Sequence, residues 1–449
     1  MTMQPPSLER PAHPTFGEAF LYWLKLGFIS FGGPAGQIAL MHQELVERRR
    51  WIGEHRFLHA LNYCMVLPGP EAQQLAIYIG WLLHRTWGGI VAGTLFVLPS
   101  LAILALLTWI YLAFGDIGWV KGLFGGIKPA VVAIVVFAAW RIGSRALKNR
   151  LLWAMSAASF VAIFAFDLPF PAIVLAAGVI GAIGGRMRPD LFKVGGGHGA
   201  SGKTYGPALI DDDMPPPAHA RFSLRSLALL LAAVLAIWGT AMSLLLNHPV
   251  LADMGAFFTK AALLTFGGAY AVLPYVYQGG VETYGWLTGA QMIDGLALGE
   301  TTPGPLIMVV AFVGFVGGWT KQAFGPDMML AAGIAGASAA TFFTFLPSYL
   351  FILAGAPLVE STHGDLKFTA PLTGVTAAVV GVVVNLAVFF GWHVLWPQAT
   401  SAAPFAGTFE WFSALVSAAA FLALWKYKQD IVRVIVACAA IGLLQSLVM

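Results

Sequence analysis

The chain carries one forty-residue pattern twice, and that duplication constrains its fold more than any other feature. Phe31-Gly32-Gly33, Trp51 and Pro68-Gly69-Pro70 recur as Phe266-Gly267-Gly268, Trp286 and Pro303-Gly304-Pro305, each pair 235 positions apart. From Phe31 to Pro70, 11 of 40 positions are identical without a gap, including Gln43/Gln278, Val46/Val281, Glu47/Glu282 and Leu61/Leu296. Unrelated sequences would share about two or three. Most of the repeated residues interrupt helices. They lie among apolar stretches at 88–114, 124–140, 226–246, 328–353 and 371–390, near the length that crosses about 30 Å of hydrocarbon. Matched breaks in two apolar halves are the mark of a secondary transporter.

Composition supports a bilayer setting. Charged residues are 10% of the chain and hydrophobic ones 58%, against about 25% charged in soluble domains. The 51 glycines and 26 prolines suit membrane helices. Residues 1–15 lack a basic start followed by an apolar run, so no cleaved signal is expected. Cys64 and Cys438, both in apolar segments, read as buried small residues rather than a disulfide. The net charge of +4 comes from basic residues just outside apolar segments, an orientation signal rather than a nucleic-acid surface.

Residues 187–225 form a polar joint of low complexity, read as a flexible cytoplasmic linker. Gly197 and Gly202-Lys203-Thr204 formally match a phosphate-binding loop, but no strand precedes them and Pro207 follows, so nucleotide binding is not expected. Asp211-Asp212-Asp213 beside three prolines reads as a solvated run rather than a metal site. The ten histidines show no metal-ligand spacing. No cofactor is expected.

Charge sets the orientation. Residues 44–56 hold Arg48, Arg49, Arg50 and Arg56, whereas the matching 279–291 has no Lys or Arg. Lys/Arg-rich loops stay cytoplasmic, so the copies should be inverted, with the unpaired crossing 226–246 turning the second over. The expected fold is an all-α polytopic membrane protein of two inverted-topology repeats, 16–186 and 251–449, after a cytoplasmic tail 1–15. Thirteen full crossings would put Arg48–Arg50 outside. Making 16–31 with 36–48, 57–67 with 73–83, and their counterparts into four broken-helix hairpins leaves nine crossings and removes the conflict.

Broken helices create polar sites at membrane depth, because half-helix N-termini offer free amides and partial positive charge to anions. The anion-site candidates are Gly32, Gly33, Gly267 and Gly268, the hydroxyls of Ser30, Thr265, Thr301 and Thr302, and Gln37, Lys128 and Lys260. Glycine pairs also serve close helix packing, and hydroxyls also cap helices. Glu71 and Glu300 flank the Pro68-Gly69-Pro70 and Pro303-Gly304-Pro305 breaks and are candidates for proton coupling, since ionisable groups at depth are costly.

The runs 28–37 (FISFGGPAGQ), 44–51 (ELVERRRW) and 67–81 (LPGPEAQQLAIYIGW) resemble the chromate ion transporter family, in its long two-domain form. The similarity covers nearly the whole chain outside the linker and the first dozen residues. It implies a multi-pass protein of the bacterial inner membrane that exports chromate and confers resistance to it, with sulfate as the related oxyanion. Chromate is a tetrahedral dianion that amides, hydroxyls and one or two cations can hold. With no nucleotide site, an ion gradient, H+ first, is the expected drive. The expected partners are the oxyanion, the bilayer and a second copy as a homodimer, with no nucleic acid. An anion channel is the alternative; a membrane enzyme lacks its nucleophile–base pair or carboxylate–metal cluster.

Overall fold

A computed structural model describes residues 10–31, 33–115, 117–192, 205–211, 214–215, 217–266, 269–361, 369–398, 403 and 405–448. Gly32, Gly267 and Gly268, the phosphate-loop match, and Asp212 and Asp213 lie outside them.

Sixteen α-helices carry the described residues, and Ile52 and Ile210 form a parallel β-bridge. The first half runs α1 (Phe16–Ile29), α2 (Gly33–His42), α3 (Glu54–Val66), α4 (Glu71–Phe114), α5 (Gly118–Ala146), α6 (Arg150–Phe166) and α7 (Phe170–Met187). Then come α8 (Leu224–Leu245), α9 (Pro249–Leu264), α10 (Ala269–Tyr277), α11 (Gly289–Thr301), α12 (Val309–Thr320), α13 (Met329–Ser361), α14 (Thr369–Leu395), α15 (Trp411–Trp425) and α16 (Ile431–Val448).

The breaks fall where the repeated residues are. α1 and α9 end at Ser30 and Thr265, and α3 and α11 end before the Pro-Gly-Pro turns. Even a π-helical turn is duplicated, at Gln43–Arg48 and Gln278–Thr283.

At all four breaks the chain doubles back. Tyr63 and Tyr78 have ring centroids 6.3 Å apart, whereas fifteen residues of straight helix span about 22 Å. Gly295 packs directly on the Phe312 ring. Tyr22 lies 5.3 Å under the Arg49 guanidinium, and Phe257 stacks on Tyr275 at 4.8 Å. The first hairpin therefore returns 44–56 to the end where α1 begins. A cysteine placed in 44–56 is expected to react with impermeant thiol reagents only from the cytoplasmic side; labelling from outside alone would defeat the arrangement.

α4 contains a further reversal. His84 and Arg85 leave helical geometry (Arg85 φ 56°, ψ −157°), and Gly80 and Gly88 let the two segments pack backbone to backbone. Long apolar helices then surround the hairpins. Among the described residues six are long and apolar enough to cross a membrane: α4, α5, α7, α8, α13 and α14; α6, α12, α15 and α16 are shorter apolar helices. The halves interlock crosswise, since α5 packs on α15 and α16 of the second half while α14 packs on α6 and α7 of the first. Outside this bundle, α8 buries no residue and exposes Leu229, Leu235 and Leu244. Such an apolar surface belongs against lipid or protein.

The linker departs from expectation. Instead of a free joint, its described part docks on the basic loop: Leu209 and Ile210 amides donate to the Arg50 and Trp51 carbonyls (2.8 and 3.2 Å), and Gly53 N–H donates to Ile210 O (3.0 Å). Asp211 accepts from the Ala208 amide at 3.1 Å, so this carboxylate is tied into a turn rather than solvated. The sequence reading missed this because Leu209-Ile210, the apolar pair that docks, is only two residues long.

Candidate functional site

Both Pro-Gly-Pro turns lie inside the bundle, each seated against the opposite half. Gly69 has φ +119° and Gly304 φ +109°, left-handed values that glycine alone adopts without strain. Each glycine then bonds the opposite half. Gly69 N–H donates to Thr265 O and Gly304 N–H donates to Ser30 O, both at 2.8 Å. Donors and acceptors are each 235 positions apart, so one bond is made twice. Gln37 adds a third tie, with Nε2 donating to Gly304 O (2.6 Å) and Ser30 O (3.2 Å).

Two serines that sequence reading missed stand over these glycines. A Cβ on Gly304 would lie 2.8 Å from Ser100 Oγ, and one on Gly69 2.9 Å from Ser348 Oγ. Each serine follows a helix proline, Pro99 or Pro347. The signal was present, because Pro99-Ser100 and Pro347-Ser348 are 248 apart, as are Gly126/Gly374 and Val131/Val379. The spacing grows by 13 beyond the breaks, and the turn at 321–328, eight residues against the two of His84-Arg85, accounts for six of them.

Several buried polar atoms here have no protein partner among the described residues: Gln37 Oε1, Gln74 Oε1 and Ser100 Oγ. Unpaired buried polar atoms are costly, so this centre has hydrogen-bonding capacity for water or a ligand. A Cβ on Gly33, at φ +71°, would meet nothing within 4 Å. Backbone geometry and open space, rather than tight packing, account for that glycine.

The candidate hydroxyls are engaged with their own helices. Ser30 Oγ donates to Leu26 O (2.6 Å), Thr265 Oγ1 to Ala261 O (2.7 Å), Thr301 Oγ1 to Ala297 O (3.1 Å) and Thr302 Oγ1 to Gly299 O (3.1 Å). Each must rotate before it can donate to an anion. Glu300 is buried and accepts a hydrogen bond from Tyr270. Glu71 opens α4 beside Pro70 and is half-buried.

The two lysines part company. Lys260 is exposed on α9 and does not share the buried cluster. Lys128 is paired: its Nζ lies 3.6 Å from Asp294 Oδ2, on which Tyr111 also donates at 2.8 Å. A second pair, buried on both sides, joins Arg56 Nη2 to Glu360 Oε2 at 3.2 Å, with Tyr78 donating to Glu360 Oε1 at 2.6 Å. Asp294 and Glu360 were missed although each is a carboxylate in or beside an apolar run. Among the described residues no His, Cys, Asp and Glu cluster can hold a metal. A cavity of about 810 Å³ lies apart from the breaks, lined by His13, His84, Arg85 and His219 among others.

Comparisons with known proteins agree with this duplicated layout. The chromate transporter family profile matches residues 17–182 and 252–443, one region in each half. A chromate transport protein of Pseudomonas aeruginosa is 32% identical over 96% of this chain and 93% of its own length. One from Cupriavidus metallidurans is 32% identical over 82% of this chain and 81% of its own. A probable chromate transport protein of Synechococcus elongatus is 29% identical over 84% and 86%. No solved structure matches the chain. With both halves matched and the breaks, basic loop and linker all within the span shared with the Pseudomonas protein, the chain belongs to the chromate transporter family.

Proposed function

We propose that this protein is a secondary transporter that exports chromate from the cytoplasm across the bacterial inner membrane and so confers resistance to it. In this reading residues 16–186 and 251–449 are inverted repeats, and their breaks form one shared oxyanion site. The observation that carries it is the doubled bond, Gly69 N–H to Thr265 O and Gly304 N–H to Ser30 O, each 2.8 Å. Equivalent residues that bond reciprocally are related by a twofold axis. With arginines on one copy of the loop and none on the other, that axis lies in the membrane plane.

The first turns of α2, α4, α10 and α12 begin at the breaks and direct amides and partial positive charge inward. The amides of Gly32, Gly33, Gly267 and Gly268, with Ser100 and Gln37, hold the dianion. Ser30, Thr265, Thr301 and Thr302 supply further donors on rotation, and Lys128 supplies charge at one mouth. Sulfate, with the same charge and shape, competes. Export of a dianion is favoured by a negative interior, at about 2.3 kcal/mol per charge per 100 mV. Proton entry through Glu71 or Glu300 supplies the rest, and a homodimer is the assembly in which the protein works.

Everted membrane vesicles test this directly. Chromate uptake should saturate, fall when sulfate is added, accelerate with an acidic lumen and stop with a protonophore. Flux that neither saturates nor responds to the protonophore would mean an anion channel. Glu71→Gln or Glu300→Gln should flatten the pH dependence. If both variants retain it, neither carboxylate couples protons.

A further inference from the structure

Two ion pairs with buried carboxylates bracket the breaks, and each is made between the halves. Arg56 opens the break hairpin of the first half and pairs with Glu360 at the end of α13; their side chains are 10% and 3% exposed. Asp294 sits in the break hairpin of the second half and pairs with Lys128 of α5. A tyrosine of α4 holds each carboxylate, Tyr78 on Glu360 and Tyr111 on Asp294.

α4 gives the spacing. Because the chain reverses at His84-Arg85, Tyr78 stands level with Val91, between Gly89 and Gly93, which both pack on Ile77. Ser100 is level with Gly304, and Tyr111 lies eleven residues further on. At 1.5 Å per residue the two ion pairs are about 15 Å to either side of the breaks. The Arg56 pair faces the arginine-rich loop, and the Lys128 pair faces the opposite end.

We propose that Arg56–Glu360 and Lys128–Asp294 are the inner and outer gates of the pathway, and that the oxyanion opens each by drawing the cation away from its carboxylate. This rests on the transport reading above. Both pairs are closed here, which corresponds to a pathway shut at both ends. A dianion beside a guanidinium or ammonium competes with a singly charged carboxylate. The tyrosine hydroxyl leaves the released carboxylate one hydrogen bond. Asp294 Oδ1 is buried with no protein partner, so that pair is incompletely satisfied and its exchange costs less. Lys128 and Tyr111 are the titratable groups that face Asp294. Arg56, Tyr78 and His219 face Glu360.

The test uses full-length protein carrying Cys64→Ala, Cys438→Ala and the reporter Ser100→Cys, labelled with a membrane-impermeant maleimide. Asp294→Asn should speed labelling from outside by at least about tenfold, the scale set by a rarely open state becoming populated, without changing labelling from inside. Glu360→Gln should do the reverse in everted vesicles. The swap Lys128→Asp with Asp294→Lys should restore slow labelling, and Lys128→Gln, at the less buried partner, opens the same gate if Asp294→Asn does not fold. Acceleration from both sides, from neither, or from the opposite side overturns the gates. Labelling needs no transport, so side-specific acceleration in the reporter protein, with no chromate moved by the parent protein that keeps Ser100, would keep the gates and refute the cargo.

Discussion

Gly304→Ala is expected to abolish chromate transport and to lower thermal stability more than any other glycine substitution at the breaks. Two costs add there. A non-glycine residue at φ +109° carries about 1–3 kcal/mol of backbone strain. The new Cβ would also lie 2.6 Å from Ser100 Cβ, an atom fixed to its helix that cannot swing aside, and overpacking of that kind costs about 1–3 kcal/mol. The sum is a large share of the ~5–15 kcal/mol that holds a typical protein folded. Gly69→Ala carries the same strain, but its nearest atom is Gln74 Nε2 at 2.7 Å, the tip of a side chain that can move. Gly33→Ala has strain alone, since nothing lies within 4 Å. Thermal unfolding in detergent should therefore rank the losses Gly304 > Gly69 > Gly33. Adding Ser100→Gly to Gly304→Ala should recover the packing part and leave the strain. Equal losses for Gly304→Ala and Gly33→Ala would show that Ser100 does not press on Gly304.

The breaks were legible in the sequence because glycine and proline state their own geometry, and because the duplication reported them twice. Gln37 was legible as a polar residue beside a break, though its cross-half bond to Gly304 was not. What stayed hidden depends on contacts between distant segments. Ser100 lies in the apolar run 88–114 and reads as an ordinary helix serine until Gly304 is placed against it. Lys128 was visible as a cation at depth, yet its partner Asp294 is 166 positions away and sits just after a stretch that reads as a loop. The hydroxyls of Ser30 and Thr265 were visible as a matched pair, 235 positions apart. Their bonds to Leu26 O and Ala261 O follow from the helices ending there, where side-chain hydroxyls fold back on the last turn. Docking of 205–211 was hidden for a different reason. It uses mainly backbone hydrogen bonds, which leave almost no trace in residue type.

Arg56→Ala should be the most destabilising change at the arginine-rich end of the bundle. Its guanidinium serves three acceptors at once: Asp211 O through Nη1 at 3.1 Å, and Met214 O at 3.1 Å and Glu360 Oε2 at 3.2 Å through Nη2. Removing it strands a carboxylate that is 3% exposed with the Tyr78 hydroxyl as its remaining tie in this network. Breaking a buried pair from one side costs about 3–5 kcal/mol, whereas replacing both partners by apolar groups of similar size is often neutral. Arg56→Met with Glu360→Met should therefore be more stable than Arg56→Ala alone, although it removes one charge more. Arg56→Lys keeps the charge but not the fork that reaches three oxygens, and should fall between them. Stability is read by unfolding in detergent, and the linker gives a second signal. Without Arg56 the Asp211 and Met214 carbonyls lose their anchor, so trypsin added to everted vesicles should cut within 187–225 faster than in the parent protein. In the double variant stability should return while fast cleavage persists, because apolar residues rebuild the packing but not the bonds to those two carbonyls. If cleavage slows again with stability, the segment is held by Leu209 and Ile210 alone, and Arg56 acts only as the counterion of Glu360.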